Sequence, residues 1–215
     1  LGSFEIAGWS RPADQTGGDY YDWLHLDDGR FIFSLADVTG HGIGPAIVTA
    51  VCRAYTRASV DSDREVHDVI TRINSMLHAD TPVDRFITFV LGRLDVSRNH
   101  VHLISAGHGP ILYYEAASRT VRHHDAQGIP LGMLEDYEFE QPLELDMAPG
   151  DALILVSDGF FEWANDHGEQ FGVGRLEQSI LASSDEPAQG MIDRMESDLR
   201  AYVGDAVQPD DMTAV

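Results

Sequence analysis

The sequence is poor in basic residues and in cysteine, and both shortages exclude functions. Lysine and arginine together number 14 against 36 aspartates and glutamates, which gives a formal net charge of −22. Most of the surface would repel a nucleic-acid backbone, so binding of DNA or RNA is disfavoured. The single cysteine, Cys52, excludes an intrachain disulfide and any site built from several cysteines.

Long apolar stretches are missing as well. No segment approaches the run of about 20 apolar residues that a membrane-spanning helix needs, and the N-terminus has no basic stretch leading into an apolar one. We therefore expect a cytoplasmic location and no membrane contact from this domain. The 215 residues, 43% of them apolar, suffice for one substantial core, and we expect a single domain over residues 1–215.

The spacing of apolar residues predicts groups of strands and groups of helices. A hairpin is predicted at 20–26 and 30–38, because two apolar-rich runs flank the turn signal Asp27-Asp28-Gly29. The other predicted strands are 86–94, 100–105, 111–114, 138–145, 152–156 and 212–215. The predicted helices are 44–60, 64–77, 174–182 and 188–202. We expect the strands between 86 and 114 to form antiparallel meanders, and the helices to cover the sheets of an α+β fold.

Aspartates stand where several predicted strands end, most of them beside glycine or another acid. These runs are Gly17-Gly18-Asp19, Ala36-Asp37-Val38, Ser157-Asp158-Gly159 and Pro209-Asp210-Asp211. Strand ends project side chains from a rigid scaffold, and oxygen-only ligands suit Mg²⁺ or Mn²⁺. Any one of these aspartates alone is more often a turn residue, so the context of all of them decides.

The order of the motifs provides that context. Pro12-Ala13 precedes Gly17-Gly18-Asp19-Tyr20-Tyr21-Asp22, and Ala36-Asp37-Val38-Thr39-Gly40-His41-Gly42 follows. The later segments are Ser105-Ala106-Gly107-His108, Pro130-Leu131-Gly132, Ser157-Asp158-Gly159, Phe171-Gly172 and Asp210-Asp211-Met212-Thr213. In this order they resemble the motifs of the stage II sporulation protein E type branch of the metal-dependent, 2C-type (PPM) protein serine/threonine phosphatases.

The resemblance implies a fold and a metal centre. The fold would be a four-layer α-β-β-α sandwich, in which two antiparallel sheets are flanked by helix pairs, with two Mn²⁺ or Mg²⁺ ions at one edge. Asp19 would bridge or coordinate the metals, Asp37 would join it with the Val38 carbonyl, and Asp158 would hold one ion. The last ligand would be Asp210, with its neighbour Asp211 as the second choice.

The resemblance also implies a reaction and a partner. A metal-activated water would hydrolyse phosphoserine or phosphothreonine on a regulatory protein, such as an anti-anti-sigma factor in bacterial partner switching. Asp19 and Asp37 would act in catalysis through the metals. No arginine matches the phosphate-binding one of eukaryotic members, so metals and waters would hold the phosphate. Relatives often carry an N-terminal sensor or receiver domain, and we expect this chain to be a catalytic domain excised from a longer protein.

The histidines and the cysteine receive different interpretations. His41 is a candidate general acid for the leaving oxygen. It stands farther along the sequence from the aspartate than the corresponding histidine of the family does, so a loop-stabilising role is the alternative. His108 is expected to organise a turn. His123 and His124 are adjacent and would point to opposite faces of a strand, so they make a poor joint metal site. Cys52 is expected to pack in the core.

Two other functions compete with the phosphatase hypothesis. One is a catalytically weak or inactive phosphatase fold that signals through binding, although all the ligand aspartates are present. The other, more remote, is a nucleotide cyclase, because Gly17-Gly18-Asp19 superficially resembles the signature of diguanylate cyclases. In those enzymes the signature lies mid-domain after another metal-binding aspartate, whereas here it precedes every other motif.

Overall fold

The computed structural model describes residues 2–40, 42–61, 63–81 and 85–215. Within these ranges the strands are β1 (Trp9–Arg11), β2 (Asp19–His25), β3 (Phe31–Val38), β4 (Ile87–Asp95), β5 (His100–Ala106), β6 (Ile111–Glu115), β7 (Thr120–His124), β8 (Leu143–Asp146), β9 (Ala152–Leu155) and β10 (Met212–Ala214). The helices are α1 (Ile43–Ser59), α2 (Val66–Asp80), α3 (Gly159–Glu162), α4 (Val173–Ala182) and α5 (Ala188–Val203). None of these helices has the length and apolar content needed to cross a membrane.

The first sheet contains five strands in the order β2-β3-β4-β5-β8, and all neighbours are antiparallel. Successive side chains of a strand point to opposite faces of the sheet. In β3, Phe31 and Phe33 therefore belong to one apolar cluster, while Ile32 and Ala36 belong to another. This strand is buried along both faces because the sheet is covered on both sides.

The second sheet is assembled from distant parts of the chain. Strands β7, β6 and β9 pair in that order, and β1 pairs with β10. Leu155 and Val215 exchange backbone hydrogen bonds of 2.9 Å in both directions, and Val156 bridges Ala214. These contacts join β10 to β9, so the sheet runs β7-β6-β9-β10-β1, with β10 in its interior.

Three apolar cores lie between four layers. Helices α1 and α2 pack on the first sheet, and the buried Cys52 lies in this core. The two sheets pack on each other through residues such as Leu35, Leu103 and Leu155. Helices α4 and α5 pack on the second sheet. The predicted α+β sandwich with four α-β-β-α layers is therefore confirmed, as is the core position of Cys52.

Several predicted elements differ from the structure. The predicted strand 138–145 is wrong over its first half, because Phe139 packs against Tyr137 in the core beside α2, and only Leu143–Asp146 pairs. The expected meander is interrupted, since β6 leaves β5 and joins the second sheet. Strands β1 and β7 were not predicted from the sequence; β7 is mostly exposed and β1 has only 3 residues.

Substitution of Gly92 tests the packing between strands and layers. An added Cβ in Gly92→Ala would lie 2.0 Å from Cζ of Phe33, and we expect this overpacking to cost about 1–3 kcal/mol. For a chain of this size, each kcal/mol lowers Tm by about 2–4 °C. Circular dichroism during heating measures the change. The control Gly174→Ala, whose Cβ meets nothing within 4 Å, should keep or raise Tm; an unchanged Tm in Gly92→Ala would contradict the packing.

Candidate metal centre

Two of the aspartates lie side by side on neighbouring strands of the first sheet. Asp19 opens β2, Asp37 stands near the end of β3, and the antiparallel register pairs them directly. Directly opposed residues project to the same face, and like charges in such a pair destabilise a sheet. Both side chains are half-buried. A pairing of this kind needs a compensating positive charge or a proton.

The other aspartates come from the second sheet. Asp158 directly precedes α3, and the Phe161 and Glu162 amides donate to its carbonyl oxygen at 2.9 and 2.8 Å. Because β9 and β10 run antiparallel, the end of one strand meets the start of the other, and Ser157 donates its N–H to the Thr213 carbonyl at 2.9 Å. Asp210 and Asp211 precede β10 and therefore lie next to Asp158.

Gly17 and Gly18 permit the close approach of backbone and acidic side chains. A Cβ at Gly17 would lie 2.3 Å from Oδ2 of Asp211, and a Cβ at Gly18 would lie 2.6 Å from the carbonyl oxygen of Val38. Any larger residue would fill the space in which these oxygens stand. The Gly-Gly-Asp motif is therefore a steric requirement of the site.

Burial and mutual repulsion raise the pKa values of the carboxylates. Burial raises the pKa of Asp37 to about 8, with further repulsion from Asp19, Asp158, Asp210 and Asp211. Burial also raises the pKa of Asp19 to about 7, although the nearby hydroxyls of Ser157 and Thr213 oppose the shift. Burial, followed by repulsion from Asp210 and Glu162, raises the pKa of Asp158 to about 6. The aspartates of both sheets thus form one electrostatically linked group.

The donor set fits hard divalent cations. One oxygen of Asp19, Oδ2, is buried without a hydrogen-bond partner, and such orphaned atoms in a native site call for an ion or a proton. All the converging groups are oxygen donors, which suit Mg²⁺ or Mn²⁺ better than zinc. In the described part of the chain, no three of these aspartates bring carboxylate oxygens within 4.8 Å of one another. The carboxylate oxygens of these aspartates are therefore spread more widely than the ligands of one small ion would be.

Asp210 and Asp211 have different surroundings. Asp211 is 3% exposed, and its carboxylate oxygens accept the backbone N–H groups of Ala13 at 2.8 Å and Gly18 at 2.6 Å. Asp210 is half-buried, and its Oδ1 accepts the N–H of Asp211 at 2.8 Å. Asp211 therefore fastens the start of β10 to the loop that carries Asp19.

His108 joins the two sheets beside the aspartates. Its Nε2 lies 2.9 Å from the carbonyl oxygen of Val156, so Nε2 carries the proton, and Nδ1 accepts from the Thr88 hydroxyl at 2.9 Å. Burial lowers the pKa of this imidazole to about 4 and keeps it neutral. Thr88 is the cross-strand partner of Asp37, and Val156 lies just before Asp158. The predicted turn role is therefore incomplete, because His108 also aligns both halves of the site.

The remaining histidines of the sequence analysis lie elsewhere. His41 falls outside the described residues, so its predicted role stays a prediction. His123 contacts Glu177 of α4, with Nε2 2.5 Å from Oε1, while its neighbour His124 faces the other side of β7. That the two histidines form no joint metal site stays a prediction.

A cavity of about 400 Å³ opens beside Asp19 and contains one residue that the sequence analysis missed. Arg53 of α1 lines this cavity, and its Nε lies 3.1 Å from Oδ2 of Asp22. Thr49, one turn earlier, donates to the Gly18 carbonyl at 2.7 Å. The sequence contained one signal that could have identified Arg53. It stands four residues after Thr49 on α1, and residues four apart share a helix face.

Comparison with known proteins is consistent with this geometry. The family model described as Stage II sporulation protein E (SpoIIE) matches residues 27–215, a span that begins after Asp19. The phosphoserine phosphatase RsbU of Bacillus subtilis (strain 168) is 29% identical over 200 residues, which cover 90% of this chain and 58% of RsbU. The phosphoserine phosphatase RsbP of the same organism is 25% identical over 192 residues, which cover 83% of this chain and 47% of RsbP.

Solved structures show the same fold. The SiaA-PP2C domain of Pseudomonas aeruginosa has a TM-score of 0.84 at 22% identity, and the match covers 97% of this chain and 83% of that chain. The present chain spans about half the length of the two curated relatives it matches.

Substitution of Asp37 tests the repulsion within the site. A carboxyl group with a raised pKa in the folded state binds protons more tightly there than in the unfolded chain, so its contribution to stability is lost as pH rises from about 4 to 8. In EDTA, Asp37→Asn should match the wild-type Tm near pH 4 and exceed it at pH 8, by about 2–4 °C per kcal/mol of burial and repulsion penalty removed.

Differential scanning calorimetry at both pH values measures this difference. The matched control is Asp125→Asn, which neutralises an exposed carboxylate outside the site and should give the same Tm difference at pH 4 and pH 8. A lower Tm for Asp37→Asn at pH 8 would show that the carboxylate is held by attraction.

Proposed function

The chain belongs to the stage II sporulation protein E (SpoIIE) family, and from this membership we propose that it is a metal-dependent protein serine/threonine phosphatase. The observation that carries the proposal is the directly paired Asp19 and Asp37, with a buried Asp19 oxygen that lacks a hydrogen-bond partner. Acids of the second sheet lie at the same edge and repel this pair. Such a cluster is suited to cations that bind a phosphoryl group.

Two Mn²⁺ or Mg²⁺ ions are the proposed cofactors. The proposed ligands are Asp19, Asp37, the Val38 carbonyl, Asp158 and Asp210. Asp210 is preferred to Asp211 because both Asp211 oxygens already accept backbone N–H groups. The role of Asp211 is to position the Gly-Gly-Asp loop, which is a structural role beside the ligands.

The chain's own groups orient the reactants in this proposal. Bound cations would lower the pKa of a coordinated water and offset negative charge on the phosphoryl group. Asp19 and Asp37 stand on hydrogen-bonded strands, so the site needs little reorganisation during the reaction. Arg53, at the wall of the adjoining cavity, supplies a positive charge for the phosphate. His41 is the proposed general acid for the leaving oxygen, on the basis of its sequence position.

The proposed substrate is phosphoserine or phosphothreonine on a regulatory protein. RsbU and RsbP are named phosphoserine phosphatases, and their similarity to this chain supports a protein substrate of this class. An anti-anti-sigma factor in a partner-switching pathway is the specific substrate that we propose. Residues 1–215 would form the catalytic domain of a cytoplasmic protein, controlled by an N-terminal sensor or receiver domain.

Removal of one carboxylate from either sheet's part of the centre should strongly lower activity. With Mn²⁺, Asp37→Asn and Asp158→Asn should each lower kcat/KM for p-nitrophenyl phosphate and for a phosphoserine protein by about 10²–10³-fold, the loss expected when one electrostatic group is removed. Asp125→Asn is the matched control and should keep wild-type rates. Unchanged rates in both site variants would refute the mechanism, and a folded but inactive wild-type chain would favour the binding-module hypothesis.

Substitution of Arg53 or Arg57 provides a matched pair of variants that test the proposed contact between Arg53 and the phosphate. Both contact Asp22, but only Arg53 is among the residues that line the cavity beside Asp19. Arg53→Ala should lower kcat/KM by about tenfold or more through the loss of a charge-assisted hydrogen bond, chiefly as a higher KM. Arg57→Ala leaves Arg53 in place and should resemble the wild type.

Steady-state kinetics with a phosphoserine peptide compare the two variants. Each variant retains one arginine on Asp22, so differences in folding between them should be small. Equal KM values for the two variants would mean that metals and waters alone hold the phosphate, as the sequence analysis expected.

A further inference from the structure

A second cluster of metal-binding side chains lies at the rim of the first sheet. His100 and His102 alternate along β5 with Val101 and Leu103, which face the second sheet, so the two imidazoles share the opposite face. Strand β8 at the sheet edge pairs with β5, and its register places Glu144 directly opposite His102. Three ligand-type side chains therefore converge on one patch.

The ligand atoms of these three side chains are close together. Nε2 of His100 lies 4.0 Å from Oε2 of Glu144, and Nδ1 of His102 lies 3.8 Å from its Oε1. All three ligand atoms lie within 4.8 Å of one another, and in the described ranges no other three His, Cys, Asp or Glu side chains come this close. The two imidazole rings meet edge to face, with centroids 4.6 Å apart.

Asp146 orients one of the imidazoles. Its Oδ1 lies 2.6 Å from Nδ1 of His100, and the register pairs the two residues directly across β5 and β8. With Nδ1 donating to the carboxylate, Nε2 of His100 presents its lone pair to the cluster. Metal-binding histidines generally donate their second nitrogen to a carboxylate in this way.

The positive charge beside the cluster is already neutralised. Arg93 is the cross-strand neighbour of His102, and its guanidinium donates to Glu65 and to the Arg64 carbonyl on the side of α2. Burial, with His100 and Arg93 nearby, lowers the pKa of His102 and favours the neutral ring. Neutral imidazole is the form that binds a metal.

We propose that His100, His102 and Glu144 bind a borderline transition-metal ion, with Zn²⁺ as the first choice. Two imidazoles and one carboxylate, with a fourth position left to water, form a common zinc ligand set. Ligand atoms of a tetrahedral zinc site lie about 3.3 Å apart. The two contacts between histidine and glutamate, at 4.0 and 3.8 Å, therefore have to close by less than about 1 Å, and no pair of ligand atoms has to close by more than about 1.5 Å. The Glu144 side chain is 63% exposed and is free to make that adjustment.

The proposed zinc site is separate from the aspartate centre. Arg93, beside His102, stands five residues along β4 from Thr88, the cross-strand partner of Asp37. At about 3.4 Å per residue, the separation along the strand is about 17 Å. Zinc at this site would link the edge strand β8 to β5 without entering the reaction, and this role is independent of the proposed phosphatase function.

Calorimetric titration with zinc chloride tests the proposal on the untagged full chain. The background carries Asp37→Asn and Asp158→Asn to weaken metal binding at the aspartate centre. We expect one equivalent of Zn²⁺ to bind and to raise Tm by several degrees. Glu144→Gln and His102→Ala should weaken binding at least tenfold, and Asp146→Asn, which removes the orienting carboxylate, should weaken it about 10–100-fold.

His123→Ala is the matched control, because His123 is also a strand histidine in contact with a glutamate, but among the described residues no third ligand joins that pair. It should leave the zinc affinity unchanged. Glu144→Gln alters an exposed side chain, so its result does not depend on refolding of the sheet. Absence of zinc binding, or equal affinity in Glu144→Gln and His123→Ala, would overturn the proposal.

Discussion

Repulsion among carboxylates at one sheet edge is the constraint on which the rest of the structure depends. Asp19 and Asp37 are direct cross-strand partners, and Asp158 approaches them from the other sheet. Such groups separate unless the scaffold holds them or a cation or proton neutralises them. Three apolar cores resist that separation, and the Asp211 carboxylate ties β10 to the Gly-Gly-Asp loop. The fold thus holds a site that is electrostatically unfavourable without bound cations.

Local patterns in the sequence predicted most elements, the fold class and the acids, but not the assignment of strands to sheets. The run that forms β6 has the same apolar character whichever sheet it joins, so the meander prediction was wrong at the turn after Ala106. The distinction between Asp210 and Asp211 depends on a hydrogen bond to Gly18, 193 residues away. The link made by His108 between Thr88 and Val156 is equally non-local. The spacing of residues along the sequence does not predict such contacts between distant parts of the chain.

The two candidate metal sites differ in donor chemistry as well as in place. The aspartate centre offers only oxygen donors, whereas the proposed rim site offers two imidazoles and one carboxylate. Hard cations prefer the first set, and borderline ions such as zinc prefer the second. One sheet therefore presents a different ligand set near each of its ends, and one ion would not substitute readily for the other. Donor type would direct each kind of metal to its own site within one chain.

The interior position of β10 has a consequence for synthesis. Met212–Ala214 is synthesised after all the other helices and strands described above, yet it lies between β9 and β1, and Asp211 beside it secures the loop of Asp19. The first sheet is complete in sequence some 65 residues earlier, at Asp146, so a nascent chain can fold that half first. The acidic centre closes only when translation of this segment is finished. A nascent chain that has not reached this segment therefore lacks the contacts that bring the aspartates of the two sheets together.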